Sequence, residues 1–224
     1  MKNKKLSLTL GIMLCALTVL FTVIYMALFG EETAKENYPI PTDAGDSYAE
    51  KAILFVCEKG YMTTETVGGA AYFYPQKEVT RGELATVLTA YLGYSEENAP
   101  KTPLGFADES TLDEEALPAV KLMLAGGHMM LRADYTFGAD AGITREEAAQ
   151  IFGALIEKEI SAGKSEKFSD FSEVGDYFLT DATRTVDFEI MIGYEDGTFR
   201  PKNILTREEL ALILYRLAHN EYIS

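Results

Sequence analysis

The chain has 224 residues, 47% of them hydrophobic, and its 35 acidic against 20 basic side chains give a net charge of −15. That length allows one or two ordinary domains. The acidity excludes binding nucleic acid through general electrostatics and argues against lying flat on an anionic lipid surface. Of the two cysteines, Cys15 falls in an apolar N-terminal run and Cys57 stands alone beyond it. No disulfide can therefore staple the rest of the chain, which needs an apolar core, and Cys57 reads as a small apolar side chain within it.

Residues 6–29 carry no charge. At about 1.5 Å per residue, a helix of that length crosses the roughly 30 Å hydrocarbon core of a bilayer. Lys2, Lys4 and Lys5 precede the run, and Glu31, Glu32 and Glu36 follow it. Residues 1–30 thus read as a basic cytoplasmic start and a transmembrane signal-anchor, with the remainder exported. A cleaved signal peptide is the rival reading. Its apolar region usually spans about 7–15 residues, and Ala27-Leu28-Phe29-Gly30 lacks a clean small-x-small cleavage site. Residues 31–43 read as a juxtamembrane linker.

Beyond the linker, helical periodicity predicts Tyr48–Lys59, with Ala52, Ile53, Val56 and Cys57 on one side and a stop at Gly60. A second helix begins after Thr80 with Leu84, Val87, Leu88 and Tyr91 as its stripe, and Gly93 ends it. After a polar linker from Ser95 to Pro103 comes a helix over Glu114–Ala125, stopped by Gly126-Gly127. Another follows Thr144, with Ala148, Ile151, Phe152 and Leu155. A linker from Ser161 to Lys167 leads to a helix over Tyr177–Ile190, an Asp196-Gly197 tight turn, and a last helix after Thr206 with Leu210, Ile213, Leu214 and Leu217.

Three of these helices open on one phrase: Thr80-Arg81-Gly82-Glu83, Thr144-Arg145-Glu146-Glu147 and Thr206-Arg207-Glu208-Glu209. A Phe sits seven residues upstream each time (Phe73, Phe137, Phe199), and an aliphatic residue precedes the Thr (Val79, Ile143, Leu205). The chain is one unit written three times. Thr at the N-cap and Glu at N3 form a capping box, and the flanking aliphatics form a staple. One such helix pair cannot bury its own stripe, so the three should pack into one domain. The capping box leaves the arginine unexplained, because N1 lies at the positive end of the helix dipole. Two arrangements fit. One is an internal ion pair, for instance with Asp108 or Asp170. The other is an anionic ligand held by free helix amides and the guanidinium fork.

In these residues the chain resembles the S-layer homology (SLH) domains of bacterial surface proteins. Phe168-Ser169-Asp170 is similar to the family's opening F-x-D. Gly193-Tyr194-Glu195-Asp196-Gly197-Thr198-Phe199-Arg200-Pro201 is similar to its G-Y-x-D-G-T-F-x-P loop, and the three Thr-Arg-x-Glu phrases to its T-R-A-E motif. The resemblance implies a mainly α fold: three helix-loop-helix repeats (44–94, 104–160 and 166–224) in a pseudo-threefold bundle, preceded by the transmembrane helix. It also implies binding of secondary cell-wall polysaccharide bearing anionic pyruvate ketals, in grooves between repeats. Carried over, the ligand-binding residues are Arg81, Arg145 and Arg207, with Tyr48 and Tyr177 replacing the family's Trp, and Gly193, Asp196 and Gly197 shaping the third groove. Asp108 and Asp170 take the family's structural Asp position.

The chain departs from the pattern in having no Trp. Glu115 stands at the aromatic position of the second unit, whose loop reads Leu131-Arg132-Ala133-Asp134-Tyr135. The first unit lacks a clear F-x-D and carries extra residues around Thr66 to Ala70. No catalytic motif, metal-ligand spacing or cofactor fingerprint appears, so the expectation is a non-enzyme without cofactor or metal. With no cargo domain before Ser224, its partners read as wall polysaccharide and membrane, and Arg207→Ala should weaken wall binding without unfolding. The alternative is a degenerate repeat serving as a scaffold for an envelope protein.

Overall fold

The computed structural model describes residues 38–158 and 163–220. Within them lie six α-helices: α1 (Glu50–Glu58), α2 (Arg81–Tyr91), α3 (Leu117–Ala125), α4 (Arg145–Ala154), α5 (Leu179–Asp187) and α6 (Arg207–His219). One antiparallel hairpin, β1 (Glu65–Val67) and β2 (Ala70–Tyr72), joins α1 to α2. The predicted transmembrane segment at 6–29 lies outside the described residues, among which no helix is long and apolar enough to cross a membrane.

The helices end where their glycines predict. Gly60, Gly93 and Gly127 adopt φ of +69°, +70° and +70°. The next amide reaches back each time, from Tyr61, Tyr94 and His128 to the carbonyls of Val56, Thr89 and Met123. These are Schellman stops. α5 makes the same stop without a glycine. Glu189 takes φ +58° and the Ile190 amide bonds the Thr185 carbonyl at 2.8 Å. Periodicity alone therefore runs this helix too far, to Ile190. The first helices of the units also start later than predicted. α3 begins at Leu117 with Pro118 in its first turn, and Tyr48 and Tyr177 stand just ahead of α1 and α5. The extra residues of the first unit are the hairpin itself, turned by Gly68-Gly69 at φ +59° and +84°, the two positive values that a tight twisted hairpin turn requires.

A closed ring of backbone hydrogen bonds sits at the centre. The Val79 amide donates to the Leu205 carbonyl (2.8 Å), Ile143 to Val79 (2.9 Å) and Leu205 to Ile143 (2.9 Å). All three side chains are fully buried, as are Leu84, Ala148 and Leu210 one turn into the helices. The helices pair across units: α1 packs on α6, α2 on α3, and α4 on α5. The first helix of each unit thus covers the second helix of the unit before it, and α1 of the first unit covers α6 of the third. The repeat is cyclic, and no unit closes its own core.

Each unit also holds its loop by a carboxylate. Asp108 accepts from the amides of Phe137 (2.7 Å) and Gly138 (2.8 Å), and Asp170 from those of Phe199 (2.7 Å) and Arg200 (2.8 Å). The first unit does the same with Asp43, which accepts from Phe73 and Tyr74, both at 2.8 Å. The missing F-x-D aspartate is therefore present. With Thr42, bonded to Ala71, it belongs to the folded unit rather than to the linker.

The second unit's loop keeps its turn despite its sequence. Asp134 accepts from the Thr136 amide and hydroxyl (3.1 and 2.6 Å), as Asp196 does from Thr198 at the same distances. Tyr135 takes φ +62° where Gly197 takes +79°. A bulky residue is strained there, and the Tyr135 side chain is 74% exposed. Tyr135→Gly is therefore expected to raise the denaturation midpoint, with a gain of about 0.5–1 kcal/mol in urea unfolding.

Candidate functional site

The three phrase threonines cap their helices as expected. The hydroxyls of Thr80, Thr144 and Thr206 accept from the amides of Glu83, Glu147 and Glu209. The reciprocal half of the box forms at Glu147 and Glu209, each 2.9 Å from the threonine amide. It is absent at Glu83, a correction to the first unit, whose carboxylate turns to Arg207 instead.

The arginines have a partner that sequence reasoning missed. Each pairs with the phrase glutamate of the next unit: Arg81 with Glu147 (3.0 Å), Arg145 with Glu209 (3.0 Å) and Arg207 with Glu83. Asp108 and Asp170 are not the partners. Each Nε donates to the upstream Phe carbonyl of that next unit: Phe137 (2.8 Å), Phe199 (2.9 Å) and Phe73 (2.8 Å). Each Nη2 donates to the loop carbonyl of Met130, Ile192 or Thr63. The guanidinium carbons lie 5.0, 5.2 and 4.5 Å from the centres of those Phe rings, within cation–π range. Arg81, Arg145 and Arg207 are 6%, 3% and 8% exposed, and burial lowers the pKa of Arg81 and Arg207. The invariant Phe and Glu of the repeat are thus the arginine's receptor on its neighbour.

The helix amides are not free either. Those of Arg81, Arg145 and Arg207 donate to Ala141, Asn203 and Lys77, all at 2.9 Å. Those of Gly82, Glu146 and Glu208 donate to Ala139, Pro201 and Pro75. The neighbouring loop supplies every acceptor. An anion site built on open helix amides is not what the phrase forms here, because the neighbour's backbone already occupies them.

The predicted residues are only partly brought together. Tyr48, Arg145 and Gly193 line one groove of about 660 Å³ between the third and first units, with Tyr194, Arg200 and Arg216. Tyr48 is 71% exposed at its edge. Asp196 and Gly197 form the turn behind it. The Asp196 carboxylate binds Arg200 at 2.8 Å, and the Arg200 guanidinium lies 3.9 Å from the centre of the Tyr194 ring. The Tyr194 hydroxyl donates to Glu209, and burial pushes its pKa up to about 12. Gly193 is required by packing, since a Cβ there would clash with the Phe168 ring and the Thr198 carbonyl. Arg81, Arg207 and Tyr177 do not line this groove. Tyr177 is 62% exposed where the third unit meets the second, beside Met130. The corresponding groove between the first and second units, about 710 Å³, is lined by Glu83, Asp113, Glu114, Glu115 and Asp140, with no cation among its lining residues.

Two consequences are measurable. Removing one partner of a buried pair strands the other charge, at a cost of about 3–5 kcal/mol. Arg145→Ala is therefore expected to destabilise the fold by about that much in chemical denaturation, and Arg207→Ala to do likewise. This replaces the expectation that an alanine there leaves folding intact. Hydrogen bonds from Thr198 and the charge of Arg200 hold the Asp196 pKa down at about 2. A depressed carboxylate pKa means its contacts are intact above the unfolded value near 3.9 and are lost as pH falls through 2. A carboxyl-carbon NMR titration should place the Asp196 midpoint near that value, and Arg200→Gln should move it up.

Comparison with known proteins places these features. Residues 167–211, the third unit, match the S-layer homology domain family. The chain is 25% identical over its whole length to an endoglucanase of Bacillus sp. strain KSM-635, covering 24% of that protein. It is 27% identical to cell surface glycoprotein 1 of Acetivibrio thermocellus, over 64% of this chain and 6% of that one. To the cellulosome-anchoring protein of the same organism it is 30% identical, over 64% of this chain and 33% of that one. The chain thus spans a third or less of the relatives it matches. The unit matched is the one whose groove gathers the predicted residues.

Proposed function

We propose that this chain is a non-catalytic module of the cell envelope. It attaches to anionic, pyruvylated secondary cell-wall polysaccharide, and residues 6–29 hold its other end in the cell membrane as a single pass, so that it tethers membrane to wall. The observation that carries this reading is the groove between the third and first units, where exposed Tyr48 and half-buried Tyr194 stand with Arg200 and Arg216. Aromatic faces suit the apolar faces of sugar rings, and arginines suit the carboxylate of a ketal. The family match falls on this unit, and relatives named for the cell surface and for anchoring support a wall-facing place. Arg145, Gly193, Asp196 and Gly197 then serve the site by fixing the loop around it, with Tyr48 as the stacking face. Arg81 and Arg207 hold neighbouring units together outside this groove, and Tyr177 lies outside it beside Met130.

A second reading, contact with an envelope protein, draws on the first groove. Its five carboxylates repel an anionic sugar and fit a basic protein surface. Sedimentation of the full-length chain with purified cell-wall sacculi separates the two. Co-sedimentation that disappears once the wall polysaccharide or its ketals are removed is the expected result. Binding that survives the removal, or no binding at all, would overturn the polysaccharide reading.

A further inference from the structure

Each motif arginine is already paired with a carboxylate and two carbonyls of the neighbouring unit, so an anion in the groove is better met by a cation without a carboxylate partner. Arg216 meets that need. It lies on α6, ten positions past the capping Thr206, and lines the groove between the third and first units. It makes one hydrogen bond, from Nη1 to the Ile190 carbonyl at 3.3 Å, and forms no ion pair among the described residues. Burial lowers its pKa, offset only in part by the charge of Glu189, whose own ion pair is with Lys164. The acids around it are engaged elsewhere. Glu208 accepts from Ser47 and Gln76, and Glu209 from Arg145, Tyr194 and the Thr206 amide. Glu195 remains as an exposed carboxylate on the rim.

The other two units lack this arrangement. Ten positions past Thr80 and Thr144 stand Ala90 and Ala154, and where the third unit has Arg200 the first and second have Tyr74 and Gly138. All three of the latter residues share a left-handed backbone, with φ of +56° at Tyr74, +68° at Gly138 and +55° at Arg200. The loop geometry is therefore common to the units, and only the third places a cation at that left-handed position.

Resting on the polysaccharide reading above, we propose that Arg216 is the carboxylate receptor of the groove. Arg200 is a second cation beside the Tyr194 ring, and the chain carries one anionic-sugar site instead of three. The repeated arginines close the ring of units, and an arginine outside the repeat contacts the ligand.

The test is calorimetric titration of the full-length chain, kept in mild detergent, with a methyl hexopyranoside carrying a 4,6-pyruvate ketal and with its ketal-free counterpart. Sacculus sedimentation is run in parallel. The expected result is one site per chain for the ketal glycoside. Arg216→Gln should weaken that binding by about tenfold or more, the size of one charge-assisted hydrogen bond, and leave the ketal-free sugar unchanged. Arg132→Gln, which alters net charge equally at an exposed position outside this groove, should have no effect. Arg216→Lys should restore part of the affinity, and matched thermal midpoints confirm folding. If Arg216→Gln lowers the midpoint, the Lys variant decides, since a purely structural arginine gives no ketal-specific recovery. Unchanged ketal binding by Arg216→Gln, or three equivalent sites, overturns the proposal while wild-type wall binding keeps the broader reading. Wild-type binding to neither sacculi nor ketal glycoside overturns both.

Discussion

The fold depends on closing a ring of three. At the centre the backbones of Val79, Ile143 and Leu205 exchange hydrogen bonds in a cycle. Outside that cycle, each motif arginine reaches over the next unit's Phe and takes the glutamate of that unit's Thr-Arg-x-Glu phrase. The two layers reinforce one another. The ring sets the distance between helix starts, and the ion pairs set their rotation. A glutamate that caps its own helix and also pairs with a neighbour's arginine links local helix formation to assembly. Neither is complete without the other, so the constraint is cooperative. The unfavourable placing of a cation at N1 is offset by a receptor that only the folded ring provides.

This division of labour accounts for how the three grooves diverge on a common frame. Once arginine, glutamate, Phe and loop-holding aspartate are committed to closure, the residues free to vary are those on the groove walls. They have varied strongly. One groove gathers Tyr48, Tyr194, Arg200 and Arg216, another gathers carboxylates, and at the third junction Glu146 takes Lys202 and the Gly175 amide. Identical skeletons therefore carry different surface chemistry, which is how repeat proteins separate stability from recognition.

Much of this was legible in the sequence, for reasons that can be named. Thr at the cap, Glu three residues on, and the buried aliphatics are local signals, and all three helices start where they indicate. Helix ends were legible at Gly60, Gly93 and Gly127. The end at Glu189 was not, because a non-glycine residue holds the left-handed turn. Asp43 was missed for want of a preceding Phe, although it stands about as far ahead of Phe73 as Asp108 and Asp170 do of theirs. The arginine's partner was illegible for a deeper reason. A residue that pairs with the next copy of its own motif looks the same in sequence as one that points at a ligand. Only the relative placement of the units distinguishes them. Arg216 escaped notice because nothing repeats around it, and absence from a repeat was itself the signal.

The cross-unit pairing of helices has a consequence for how the chain comes to be folded. α2 with α3 and α4 with α5 are neighbours in sequence and can dock as soon as both exist. α1 has its partner in α6, the farthest helix along the chain, and contacts so distant in sequence form late because of their loop-closure entropy. During synthesis the first helix emerges with its apolar face uncovered and stays so until α6 has been made. The packing of α1 on α6 joins the two ends of the helical array. Until α6 has been made, Arg145 of α4 lacks its carboxylate Glu209 and Glu83 of α2 lacks Arg207, so an incomplete array is without two of its three cross-unit ion pairs.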